Sequence, residues 1–320
     1  ETDASGYADP ARPRKVPARF GSPWAGRDYS LLISGGIRED STIEEGRQIL
    51  RHMADQPFAQ EFICVKLCRL FVHDGFQHGY DFTDTEVSPE EKLVHDCMLA
   101  WETPPHGGPK GQIRDVLRVI FASELFRSTA GSAQKVKTPL EYAVSAVRAL
   151  RAKNPDGTFT ARSNGSDLYN IMDRAGRMRL FDRAEPNGYP EDGAGWISAG
   201  TLSERLRFIQ AALAPTGASY KGDAGASTQT DPVGLLKLKA PTALSNAEAI
   251  ADFFLHILFP AEGAANLVGY RQLAVRFLNT ANDGVASDPL VKLGTTTTAY
   301  DERIRGMVSL LMTAQRFQEQ

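Results

Sequence analysis

The chain has 320 residues, of which 42% are hydrophobic and 23% charged, with a formal net charge of −3 and a pI near 6.1. That is enough apolar material for one large globular domain or two ordinary ones. It offers no electrostatic attraction for nucleic acid or an anionic membrane surface, and no apolar run reaches the length of a membrane span, so neither is expected as a partner.

Residues 1–28, rich in Pro, Gly, Ala and charge, read as an extended N-terminal arm. The start at Glu1, without Met or signal peptide, reads as a mature or cleaved product. Helix-start signals then recur. Ser88-Pro-Glu-Glu91 and Thr138-Pro-Leu-Glu141 each place a capping hydroxyl, a proline at the first helical position and a Glu three residues after the cap. Ser41-Thr-Ile-Glu44, Thr201-Leu-Ser-Glu204 and Ser245-Asn-Ala-Glu248 share the spacing. Apolar residues at three- and four-residue steps predict helices near 43–54, 57–72, 89–101, 110–127, 139–152, 166–174, 200–214, 246–259, 264–279 and 300–317.

Segments of this pattern return about 190 residues downstream. Ile113 to Phe126 matches Ile304 to Phe317, with apolar residues coincident at 113/304, 116/307, 117/308, 119/310, 120/311, 121/312 and 126/317. Upstream of each, Phe62 to Phe71 resembles Ile250 to Phe259. The expected fold is therefore mainly α: a duplicated three-helix unit packed as a helical bundle, with a long loop-rich central insertion. Its parts are residues 29–152 (first repeat plus the following helix), 153–240 (insertion with one clear helix, Thr201 to Leu213) and 241–320 (second repeat), expected as one compact domain overall. Short strands are allowed between 155 and 195, and Gly217 to Asp231 reads as mobile. The two third-helix stripes are expected to pack on each other, so that a charge at Leu117 or Leu311 does more damage than one at Asp115.

Cys64 and Cys68 lie one helical turn apart, and Cys97 could join them; small buried hydrophobes are the simplest reading of all three. No C-x-x-C pair, H-E-x-x-H, P-loop or G-x-S-x-G is present.

Several segments together resemble one family. Phe62-Ile-Cys-Val-Lys-Leu-Cys-Arg-Leu-Phe-Val72 is similar to its "FIxxKLxRxFV" helix. Ile113 to Phe126 is similar to its arginine-led helix ending in S-x-x-F. Lys135-Val-Lys-Thr-Pro-Leu-Glu141 is similar to its most specific motif, and Gly188-Tyr-Pro190 with Trp196-Ile-Ser198 and Arg205 to its "GYP…W-x-S…R" stretch. This is the bacterial domain-of-unknown-function family numbered 1800. The resemblance runs from about residue 30 to the C-terminus. It implies a mainly helical protein exported from Gram-negative bacteria, hence periplasmic or extracellular. It also implies a gene neighbour that is sulfatase-like, and no established activity or cofactor. Members are generally longer, which implies that this chain is a C-terminal portion lacking an N-terminal helical half.

Three constellations carry candidate chemistry. Lys135 and Lys137, at the start of the Thr138 helix, could hold an anion at its N-terminus; the alternative is a well-capped helix with solvated lysines. Tyr189, Glu191, Asp192 and Trp196 on a Gly-rich loop could line a sugar groove with carboxylates alongside; the alternative is that Trp196 plugs the core. Asp81, Asp84 and Glu86 offer hard oxygen ligands that would suit calcium, although the spacing is not an EF-hand; the alternative is a solvated acidic turn. His73 and His78 could join them.

The first functional expectation is a non-enzymatic structural or interaction module of the bacterial envelope or extracellular space. Its partner is another protein or the missing half of its precursor. The second is a hydrolase acting on extracellular carbohydrate through the Tyr189–Trp196 loop. The residues leave open whether the protein is an enzyme.

Overall fold

The computed structural model describes residues 14–30, 42–128, 135–214, 228–260 and 262–320. The Ser41 cap, the first residues of the arm and most of the Gly217–Asp231 stretch lie outside them. The described chain is mainly helical, with a single two-stranded sheet, and divides into units 1–134 and 135–320.

The first unit holds α1 (Thr42–Asp55), α2 (Pro57–Phe71), α3 (Pro89–Glu102), α4 (Ile113–Ala122) and α5 (Glu124–Arg127). Ser88 caps α3 by accepting from the Glu91 N–H at 3.1 Å, with Pro89 next to it, as the spacing predicts. The core gathers Cys64, Val65 and Cys68 of α2, Val94, Cys97 and Met98 of α3, and Val116 and Ile120 of α4. Residues 14–30 depart from the extended-arm expectation. Val16, Phe20 and Trp24 are buried in this core. Arg19 donates to both oxygens of Glu61 at 3.1 and 2.8 Å, and Arg27 to Glu102 at 2.6 Å. Large aromatic side chains in a Pro- and Gly-rich stretch gain more from burial than the backbone loses by ordering.

The second unit runs α6 (Pro139–Ala149), β1 (Ala161–Arg162), α7 (Gly165–Arg174), α8 (Ala199–Leu213), β2 (Gln229–Thr230), α9 (Pro232–Lys239), α10 (Ala247–Leu258), α11 (Val268–Leu278), α12 (Thr298–Thr313) and α13 (Gln315–Gln318). β1 pairs antiparallel with β2, Ala161 opposite Thr230. α6 belongs here and not with the first repeat: Tyr142, Ala143, Ala146, Val147 and Leu150 sit in the same core as α8, α10 and α12. The insertion is core-forming too, through Ile171, Phe208, Ile209 and Leu236. α9 was not expected; its signal was Asp231-Pro232, where Asp231 accepts from the Gly234 N–H at 2.8 Å.

The two predicted third helices both break at matching positions. Ser123 and Ala314 take extended backbone, and short α5 and α13 restart beyond them, carrying Phe126 and Phe317. Each stripe is buried, so far as it is buried, inside its own unit. α12 packs against α8, α9, α10 and α11, whereas α4 packs against α2, α3 and α5. The expectation about charge placement is corrected in the first copy: Leu117 is only half-buried, whereas Asp115 is buried, bonded to Arg118 at 2.8 Å and His106 at 3.0 Å.

Candidate functional site

The loop around Trp196 is folded inward. Trp196 is buried, and a Cβ on Gly176 would lie 2.9 Å from its ring, so the glycine makes room for the indole. The Trp196 carbonyl accepts from the Thr201 hydroxyl at 3.1 Å. Asp192 caps the following turn, accepting from the Gly195 N–H at 3.0 Å. The Tyr189 hydroxyl donates to the Arg179 carbonyl, and its ring stands 6.1 Å from the indole. Glu191 is exposed. These groups form a plug with a turn above it. The indole face needed to stack on a sugar is inside the core.

The Lys135–Glu141 segment is a fastening point. Val136 bridges Glu319, the Lys137 N–H donates to the Gln318 carbonyl at 2.7 Å, and the Gln320 N–H donates to the Lys135 carbonyl at 2.8 Å. Thr138 and Glu141 form a reciprocal capping box. Burial works against the Glu141 carboxylate. The bonds from Thr138 and Gln320 and the charge of Lys135 outweigh it, so its pKa falls below the usual carboxylate value. Lys137 is half-buried. Its ammonium donates to the Phe317 carbonyl at 2.7 Å and lies 4.1 Å from the Phe317 ring centre. Burial, reinforced by Arg316 and Arg205, lowers it from 10.5 to about 8. Arg205 is fully buried below, donating to the Lys137 carbonyl at 2.8 Å and the Gln318 side chain at 3.1 Å. The two lysines therefore do not present a paired anion site, because one of them is turned into the protein.

In the Asp81–Glu86 turn, the Asp81 carboxylate accepts from the Thr83 hydroxyl at 2.6 Å and the Thr83 N–H at 3.0 Å, which lowers its pKa. Asp84 and Glu86 are exposed. His73 faces Glu90 at 3.4 Å, and His78 stacks on Phe62. Among the described residues no group of three or more His, Cys, Asp or Glu is arranged to hold a metal ion. Cys64, Cys68 and Cys97 are free, buried thiols. Cys97 shares hydrogen bonds with the other two: its contact pushes Cys68 up together with burial, while Cys97 itself is pushed up by the Cys64 contact and burial, against a lowering from Cys68.

The arrangement that sequence reading missed is an unequal covering of the two copies. Positions 116/307 and 120/311 are buried in both. On the adjoining face, Ile304, Val308, Met312 and Phe317 are at most 1% exposed, whereas Ile113, Phe121 and Phe126 are 40%, 42% and 42% exposed. In the second unit α12 packs against α8, α9, α10 and α11, and Phe317 meets the rings of Tyr142 and Phe259 at 5.7 and 6.2 Å. In the first unit Phe121 instead meets Phe71 and Phe126 at 5.2 and 5.0 Å, forming an aromatic ridge open to solvent. Arg114, Arg118 and Arg127, next in sequence to Ile113, Leu117 and Phe126, are exposed, as is Glu124, and Arg118 is paired with Asp115 at 2.8 Å.

A family model described as "Protein of unknown function (DUF1800)" matches residues 30–319. No curated protein and no solved structure matches the chain.

Proposed function

The chain belongs to the family described as protein of unknown function (DUF1800), and from that premise we propose that it is an interaction module that docks an amphipathic helix of a partner protein. The observation that carries this reading is the open ridge of Ile113, Leu117, Phe121 and Phe126. The equivalent residues of the second copy are covered by helices of their own unit. A surface built to the same pattern but left bare is suited to an external helix. Covering the four side chains would recover about 3 kcal/mol, allowing for the burial they already have. The flanking arginines favour a partner helix with acidic residues beside its apolar stripe. The setting proposed is outside the cytoplasm, as the resemblance implies. The carbohydrate-hydrolase reading gains no support, because Trp196 is buried and Asp192 is engaged in its turn.

The test places a photo-crosslinking residue at Glu124, beside the ridge, in the native host, with fractionation to locate the protein. The reading expects a discrete adduct mapping to an amphipathic helix of another protein, lost when Phe121→Asp is added. No adduct, an adduct with a second copy of this chain, or one indifferent to Phe121→Asp would each defeat it.

A further inference from the structure

Among the described residues, most arginines that are held by another group face a carboxylate: Arg19 faces Glu61, Arg271 faces Asp252, Arg303 faces Asp288 and Arg316 faces Glu262. One cleft of the second unit breaks this habit. Arg148 on α6, Arg151 just beyond it and Arg162 on β1 line a cavity of about 300 Å³, and among the described residues no carboxylate lines it with them. Its floor is apolar, built from Val144, Val147, Ala161 and Leu168. Phe159 and Arg162 also line an adjoining cavity of about 500 Å³, whose other charged groups are Arg305 and Asp231. Asp231 is already engaged, capping α9 through Gly234 and lying 3.6 Å from Arg305.

The partners that do hold these guanidiniums are neutral. Arg151 lies over the Phe159 ring, 4.0 Å from its centre, and Arg162 donates to the Gln229 side-chain oxygen. A ring and an amide orient a guanidinium without quenching its charge. Arg151 and Arg162 are thus pre-positioned and keep their full attraction for an anion, with Arg148 lining the same cavity beside them. Arginine stays charged at any working pH, and its fork matches a carboxylate or phosphate edge. Charge alone would suit any anion. The apolar floor adds a second requirement, a hydrophobic body of roughly single-ring size, which fits a cavity at the small end of ligand sites.

We infer that this cleft is a binding site for a small organic anion with an apolar body, a carboxylate or a phosphate monoester. The site lies wholly within the second unit and is independent of the docking ridge.

Isothermal titration of the full chain tests it with four probes: phenyl phosphate, benzoate, inorganic phosphate and benzyl alcohol. Saturable binding is expected for phenyl phosphate or benzoate, and which of them binds tighter identifies the head group. Inorganic phosphate lacks the ring and benzyl alcohol lacks the charge, so each should bind at least about tenfold more weakly. The double variant Arg148→Gln, Arg162→Gln should weaken the tighter probe by about tenfold or more, with its circular dichroism unchanged because both side chains are exposed. Arg207→Gln, at a surface ion pair with Glu204, should leave affinity as it was. The inference is overturned if neither aromatic anion saturates, if inorganic phosphate or benzyl alcohol binds equally well, or if the double variant binds like the parent.

Discussion

Lys137 should make this protein more stable as the solution becomes mildly alkaline. In the folded chain its ammonium is lowered from 10.5 to about 8 by burial, with Arg316 and Arg205 adding to the effect. Below pH 8 folded and unfolded chains both carry the proton, and the folded state bears the whole cost of the buried charge. Between about 8 and 10.5 the unfolded chain holds one more proton than the folded one, so the stability contributed at this site rises with pH. Above 10.5 both are neutral and the gain is complete. The span corresponds to about 3 kcal/mol at most. Urea unfolding of the parent and of Lys137→Met at intervals from pH 7 to pH 10 isolates the effect, because other titrations cancel in the difference. The parent should gain on the variant by about 2–3 kcal/mol across that range. A difference that stays flat with pH, or narrows in the opposite sense, would refute the placement of this ammonium in the interior.

The two repeats should respond unequally to the same insult. Ile304→Asp should cost more than about 4 kcal/mol in chemical denaturation, and Ile113→Asp less than about 1, because only the first of these side chains is wholly enclosed; equal losses would remove the basis for a bare ridge. Trp196→Ala should cost about 3–5 kcal/mol through the void it leaves, measured by urea unfolding, and a near-neutral result would mean that the indole is not a plug. The three thiols should resist maleimide at pH 8 in the native protein and react promptly in denaturant, as their burial and the raised values of Cys68 and Cys97 require; fast native labelling, read by mass spectrometry, would contradict the cluster.

Signals that act within a few residues could be read directly from the sequence. The Ser88 and Thr138 caps are local chemistry, and both helices begin where their prolines and glutamates say. The cap of α10 is one residue off the expected Ser245, at Asn246, and that of α8 is Ser198, three residues before Thr201. The three cysteines are buried, as their reading as small hydrophobes expects. Features that depend on distant partners could not be read. Lys137 looks like any surface lysine until Phe317 reaches it from 180 residues away. Ala314 carries no breaking signal of its own; the chain turns there in company with Phe317, which packs between Tyr142 and Phe259. The repeat was visible as matched apolar positions. A pattern of side chains cannot say which copy is covered, because that depends on helices far away in the chain: Ile304 and Met312 are enclosed within their unit, whereas Ile113 and Phe121 are exposed.

The bridge between 135–137 and 317–320 brings the first and last segments of the second unit side by side. That unit is in effect a ring that happens to be cut at the clasp. A short glycine-rich splice could seal the cut, and a fresh opening at the exposed Asp283-Gly284 turn would yield a circular permutant with the same interior.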